Sequence, residues 1–302
     1  MHEPYRADLL TVEPAKSTTS RGIFWMFITG LCFLSVTVSV RYIGPRIPAA
    51  ESAFIRYLVG TLILIPVYYR IYTGTLRFDA SAMMGVRGVA HGLGVILWFF
   101  AMARIPIAQV TALGFLTPVV ITLAAALFLR EKLHARRLTA VVVGFIGMLV
   151  IVRPGFNEIS IGQIAQIMTT PLFALSMILA KKLTEDSDPL AIVAGLSFIC
   201  TLTLLVPALL NWVSPTLLEL LLLSVTAVFA TLGHYTMTLA FKCAPLSVLQ
   251  PISFLQLLWA SVAGVVLFAE ALDFYVVLGG AILVFSASYI TYREAQIERQ
   301  IQ

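Results

Sequence analysis

Two stretches of equal length decide the fold: GVILWFFAMARIPIAQVTALGFLTPVVITLAAALFLRE at residues 94–131 and GHYTMTLAFKCAPLSVLQPISFLQLLWASVAGVVLFAE at residues 233–270. At a constant offset of 139, Gly94 pairs with Gly233, Ala101 with Ala240 and Pro106 with Pro245. Phe115-Leu116 pairs with Phe254-Leu255, and Glu131 with Glu270, at the same offset. Working outward, Pro48 and Pro66 match Pro189 and Pro207 at 141, and Gly22 and Phe33 match Gly162 and Phe173 at 140. One such match carries little; three neighbouring offsets in chain order mark an internal repeat. The ends of the two halves match loosely, with Gly144 near the position of Gly279 or Gly280.

The repeated stretches are too apolar for water. Of 302 residues, 60% are hydrophobic and 12% charged, and the mean hydropathy is +0.96. A soluble domain carries about 25% charged residues, so this composition excludes a soluble enzyme, a nucleic-acid binder and a disordered chain. A helix crossing the hydrocarbon core needs roughly 20 apolar residues. Ten such runs are present: 22–40, 50–72, 81–103, 106–129, 136–152, 161–182, 189–211, 217–239, 245–268 and 272–290. The turn signals fall between them, at Gly44-Pro45-Arg46-Ile47-Pro48, Arg153-Pro154-Gly155 and Asp186-Ser187-Asp188-Pro189. Cys32, Cys200 and Cys243 lie in or beside apolar runs with neither disulfide nor metal spacing.

The net charge of +5 is read by position. With the N-terminus inside, 14 of the 20 Lys and Arg fall in inner segments, and four (Arg41, Arg46, Arg104 and Arg153) in outer ones; Arg56 and Arg87 lie within runs. This asymmetry orients both termini to the cytoplasm. Each half holds five runs, an odd number, so the second half enters the membrane upside down relative to the first. The expected fold is an all-α membrane protein: ten transmembrane helices as two inverted five-helix repeats. The expected divisions are a polar N-terminal tail at 1–21, repeats at 22–152 and 161–290, a linker at 153–160 and a C-terminal tail at 291–302. Inverted repeats are the architecture of many secondary transporters, whose sites lie at the repeat interface near the midplane.

The run Ala101-Met-Ala-Arg-Ile-Pro-Ile-Ala, then Phe115-Leu-Thr-Pro118, Leu129-Arg-Glu-Lys132 and Gly144-Phe-Ile-Gly147 resembles the signature of the EamA family of the drug/metabolite transporter superfamily. The second half repeats it more faintly as Ala240-Phe-Lys-Cys-Ala-Pro-Leu-Ser, Phe254-Leu255 and Phe268-Ala-Glu270. The resemblance implies a central cavity between two five-helix halves and movement of small organic metabolites across a bacterial inner membrane. Val40-Arg-Tyr-Ile and Ala53-Phe-Ile-Arg-Tyr57 are similar to a branch that includes riboflavin and S-adenosylmethionine importers. Where many members carry Trp-Gly in the first helix, this chain has Leu34-Ser35-Val36-Thr37.

Polar residues deep in a membrane helix are functional candidates because they need a partner or a water-filled cavity. Arg87, His91, Gly94 and Trp98 share one helical face. His91 lies ten residues into its run, roughly 15 Å deep at 1.5 Å per residue, where it could bind substrate, carry a proton or simply pack. Arg87, only about 9 Å in, is expected to snorkel to the cytoplasmic interface. Arg56 either attracts an anionic or zwitterionic substrate, or pairs with Glu51 or loop carbonyls. The cavity face is expected to include Phe115 of the fourth run, Gln163, Gln166, Thr170 and Phe173 of the sixth, and Gln250 and Phe254 of the ninth. Each polar member could equally be interhelical glue.

Pro118, Pro171 and Pro251 are candidate hinges, each removing one helical hydrogen bond. Thr117 and Thr170 stand ready to re-satisfy the freed carbonyls. His234 is placed near the cytoplasmic mouth, as a gating residue. All five Asp lie in loops or at run ends, and no carboxylate sits at the midplane, so proton coupling through a buried acid is disfavoured. Neither catalytic nor metal-ligating residues are expected, nor any cofactor. The expected partners are a small-molecule substrate and the bilayer, with no nucleic acid; a homodimer is allowed. A membrane enzyme and a channel or scaffold are the competing readings, and the inverted repeat favours a carrier over both.

Overall fold

The computed structural model describes residues 16–128, 135–156, 158–244, 249 and 252–301. The chain folds into helices α1 (Lys16–Ile43), α2 (Ala49–Ile63), α3 (Ile65–Tyr72), α4 (Ala82–Met102), α5 (Ile107–Gly114) and α6 (Leu116–Phe128). The second half continues with α7 (Ala135–Val152), α8 (Ile161–Leu183), α9 (Pro189–Leu210), α10 (Leu217–Cys243), α11 (Leu255–Phe268) and α12 (Phe274–Ile301). Among the described residues, α1, α4, α8, α9 and α10 are each long and apolar enough to cross a membrane, and α2 with α3 forms a sixth, bent candidate.

The breaks follow the prolines. Pro66 lacks the N–H that would bond the Leu62 carbonyl, and α2 bends by 54° into α3 there. The fourth run splits at Phe115, three residues before Pro118. The Thr117 hydroxyl donates to the freed Gly114 carbonyl at 2.8 Å. Pro171, by contrast, leaves α8 continuous and stands on the exposed face. There Thr170 donates to the freed Ile167 carbonyl at 2.7 Å. Thr170→Val is therefore expected to lower the melting temperature in detergent, by roughly 0.6–1 kcal/mol of stability. Transport should be unchanged; a variant that melts normally but no longer transports would give Thr170 a role beyond the backbone.

Helix starts carry their own signals. Ser160 and Gln163 cap α8 reciprocally, and Thr216 and Glu219 cap α10 in the same way. Gln163, placed on the polar strip by spacing alone, is thus a capping residue. Both tails expected to be polar extensions are partly helical: α1 begins at Lys16 and α12 runs to Ile301.

The helix pairing is two-fold. The first run (α1) packs on the eighth (α10), as the third (α4) packs on the sixth (α8); α2 packs on α9, and α7 on α12. Exchanging the two halves maps these pairs onto one another. Polarity is inverted relative to a soluble protein. Leu, Val, Ile and Phe such as Leu202, Val206, Leu221 and Phe285 stand exposed, while Glu51, Arg56, Arg87, Gln166 and His234 are buried. In water the exposed set would be an aggregation surface; in a bilayer it is the lipid-facing coat.

One end of the bundle is stitched across the two halves. Arg41 pairs with Glu270 at 2.8 Å and donates to the Met102 carbonyl at 3.2 Å. The same carboxylate accepts the Ile107 amide at 2.9 Å. Arg46 pairs with Glu219, and Arg153 with Asp273. Ala269, with φ of +50°, turns the chain beyond α11 so that the Glu270 amide closes on the Gly264 carbonyl at 3.0 Å. At the opposite end, Lys181 donates to the Phe241 carbonyl and Lys242 stands 3.9 Å from Asp188, while the Arg77 and Asp79 amides cross between the halves to Asp188 and the Ser187 hydroxyl at 2.8 Å each.

Candidate functional site

A cavity of about 260 Å³ lies at the centre, where α1, α2, α4, α5, α6, α8, α10 and α11 converge. α2 brings Arg56, a substrate candidate from the sequence, together with Tyr57. The α4 face of Arg87, His91 and Trp98 points into it, as the i, i+4, i+11 spacing requires. Phe115, Pro118, Gln166, Phe173 and His234 also line it.

The wall is aromatic. Phe33 meets His234 at 5.2 Å between ring centroids, His234 meets His91 at 5.0 Å, His91 meets Phe173 at 5.1 Å, and Phe173 meets Trp98 at 6.1 Å. Tyr57 touches His91 edge-on at 6.3 Å. Nδ1 of His91 lies 3.1 Å from the Ser176 hydroxyl, which fixes the ring by a contact between α4 and α8. A buried hydroxyl pair, Thr29 with Thr236 at 2.8 Å, ties α1 to α10.

Several buried polar atoms of the lining residues have no hydrogen-bond partner: Nη1 of Arg56, Nε of Arg87, Oε1 of Gln166 and Nδ1 of His234. Buried polar groups are normally satisfied, so each such atom requires an account. These atoms carry almost no accessible surface as they stand, so a bound molecule or water satisfies them only once the side chains turn toward the cavity.

Two expectations are corrected. Arg87 does not snorkel: it is 1% exposed, with Nη1 3.4 Å from the Ile192 carbonyl. Its route to the interface is filled by Met84, Leu183 and Ile192, with Phe78 packed against them. His234 is not at a mouth: it is buried beside His91, because α10 runs four residues past the expected end. Arg56 has no contact with Glu51 among the described interactions. It lies over the Tyr57 ring, 3.9 Å from the centroid, while Glu51 accepts the Val213 amide at 2.8 Å.

Thr170 is buried but outside the lining; Thr169, one residue earlier, takes that position. Phe254 stands behind the lining, edge-on to Phe115 at 5.0 Å. Gln250 and Pro251 lie outside the described residues. Tyr57 and Ser176 were missed. Ser176 lies seven and ten residues after Thr169 and Gln166, so the helical period could have found it. Tyr57 had only its adjacency to Arg56.

An apolar coat around buried polar helices and a central cavity define a multi-pass membrane protein. Among the described residues no cluster of His, Cys, Asp or Glu could hold a metal, and the three cysteines are free. The sequence profile of the EamA-like transporter family matches residues 20–153 and again 160–292, and the chain belongs to that family. It is 25% identical over 281 residues to an S-adenosylmethionine uptake transporter of Rickettsia bellii, covering 93% of this chain and 96% of that protein. It is 28% identical over 299 residues to a riboflavin transporter of Rhizobium johnstonii, covering 96% and 97%. A solved crystal structure superposes with a TM-score of 0.58 at 14% identity, covering 93% of this chain and 99% of that one; the likeness is one of fold. The protein is a small-metabolite transporter of the inner membrane.

Proposed function

We propose that the chain is a secondary carrier working by alternating access around the central cavity, with ten spans and both termini in the cytoplasm. In this reading α2 with α3 is one bent span, α5 with α6 another, and α11 completes the ninth. The five-span halves are then inverted relative to each other. The observation that carries the reading is the cavity, ringed by helices from both halves in two-fold pairs. Such a site between inverted repeats can be exposed alternately to either side by rocking one set against the other. The stitched end is then the outer one, and it is closed, with Arg41, Glu270 and the start of α5 drawn together.

Substrate contacts are assigned to His91, Trp98, Phe115, Gln166, Phe173 and Arg56, with Tyr57 and Arg87 added. Pro118 and His234 sit where a change of shape would be felt. The test is uptake and efflux in proteoliposomes with a pooled metabolite mixture, read by mass spectrometry, for the wild type and His91→Ala. A carried compound is expected with the wild type and a loss of about tenfold or more with the variant, the scale of one lost hydrogen bond plus aromatic contact. Equal movement in both proteins would remove His91 from the site. No movement by folded wild-type protein would overturn the carrier reading.

A further inference from the structure

Arg56 of α2 and Arg87 of α4 enter the cavity from different helices, and both are buried, at 5% and 1% exposure. Arg56 lies against the ring of Tyr57, and that ring meets His91 edge-on. Arg87 stands one turn before His91 on the same face of α4. Each guanidinium keeps a nitrogen without a partner. A guanidinium does not lose its charge in a protein.

No Asp or Glu lines the cavity among the described residues. The nearest carboxylate in sequence to Arg56, Glu51, stands outside the cavity, with Oε2 on the Val213 amide and Oε1 without a partner. Two uncompensated cations inside a membrane protein are costly, and such groups ordinarily pair or mark a pathway. Here the missing negative charge has to arrive with whatever enters. The wall beside the arginines is aromatic: His91 is tilted by 30° against Phe173, and Trp98 meets Phe173 edge-on, so ring faces and edges both line it. Oε1 of Gln166, which has no partner, can accept from a ring N–H.

We propose that the cargo is an organic anion bearing a planar aromatic ring, its carboxylate or phosphate held between Arg56 and Arg87 and its ring against His91, Phe173 and Trp98. This rests on the carrier reading above and narrows it to a substrate class. A net cation is repelled by the same two arginines, which separates this chain from a cargo such as S-adenosylmethionine.

The test uses pairs matched in ring and differing in charge: nicotinate with nicotinamide for a carboxylate, and flavin mononucleotide with riboflavin for a phosphate. S-adenosylmethionine serves as the cation. All are offered to wild-type proteoliposomes together with a bacterial metabolite extract, with thermal stabilisation of the purified protein as a second readout. The anionic member of at least one pair, or an aromatic anion of the extract, should be carried or should stabilise at a concentration at least about tenfold lower than its neutral partner. Which pair responds tells carboxylate from phosphate. Arg56→Gln and Arg87→Gln should abolish that preference, with Arg→Lys at either position retaining part of it. Because the charge preference is read on the wild type, a variant that fails to fold leaves the outcome intact. If neutral or cationic compounds are carried as well as the anions, or the extract yields carried compounds without an aromatic anion, the class is overturned while the carrier stands. If folded protein carries nothing and nothing stabilises it, both readings fall.

Discussion

Gly279→Ala is expected to force α7 and α12 apart. A Cβ at Gly279 would lie 2.6 Å from the Gly147 carbonyl oxygen, 2.6 Å from Cγ1 of Ile151 and 3.2 Å from the Ile151 amide nitrogen. In return, a Cβ at Gly147 would lie 2.9 Å from the Gly279 carbonyl. The obstacle in each direction includes backbone, which cannot rotate away as a side chain can, so the helices themselves must move. Overpacking of this kind costs typically 1–3 kcal/mol, and a backbone obstacle puts Gly279→Ala near 3. In a membrane no hydrophobic drive between helices offsets a lost close contact. The variant should melt well below the wild type in detergent. Gly85→Ala is the control: nothing lies within 4 Å of its Cβ, so the exchange in α4 should gain about 0.5–1 kcal/mol. A Gly279→Ala protein as stable as the wild type would mean that α7 and α12 are not so closely apposed.

Glu270→Ala is expected to loosen the stitched end. The carboxylate joins α1 through Arg41 and the start of α5 through the Ile107 amide, so its removal strands both. The side chains of Arg41 and Glu270 are 21% and 10% exposed, between a surface pair and a buried one. A loss of about 2 kcal/mol lies between the corresponding costs of up to 1 and of 3–5 kcal/mol. If the stitched end closes the cavity, 2 kcal/mol is about a 30-fold shift toward the open arrangement. A cysteine placed at Trp98 in a cysteine-free background reads this directly. An impermeant thiol reagent added from the stitched side should react much faster when Glu270 is alanine. Unchanged labelling would show that this contact does not control access.

The sequence disclosed the apolar runs, the repeat and the break near Pro118, because each is written in local composition, whereas residues 50–72 read as one unbroken run across Pro66. It also disclosed which face of α4 lines the cavity, since His91 and Trp98 obey a simple helical period. What it could not disclose was set by neighbours distant in sequence. Depth along one helix suggested that Arg87 reaches water; Leu183 of α8 and Ile192 of α9 close that route. His234 looked terminal because the polar residues around Lys242 suggest an early helix end, whereas α10 runs on to Cys243. The choice of Thr170 over Thr169 was a one-residue error, which on a helix is a rotation of about 100°. That rotation separates a cavity wall from a backbone cap.

The three ion pairs at the stitched end also bear on how the protein is made. Each joins an arginine of the first half to a carboxylate of the second, which leaves the ribosome later: 173 residues after Arg46 and 120 after Arg153. Until then, in the proposed orientation, a nascent first half holds Arg41, Arg46 and Arg153 on the translocated side without counter-ions, against the usual bias in lysine and arginine placement. The arriving carboxylates neutralise them and lock the early helices in place. Expressed as two separate chains, the first half alone should keep its orientation, set by the Lys and Arg of its inner segments, but lack these pairs and be degraded, and co-expression of the second should rescue it.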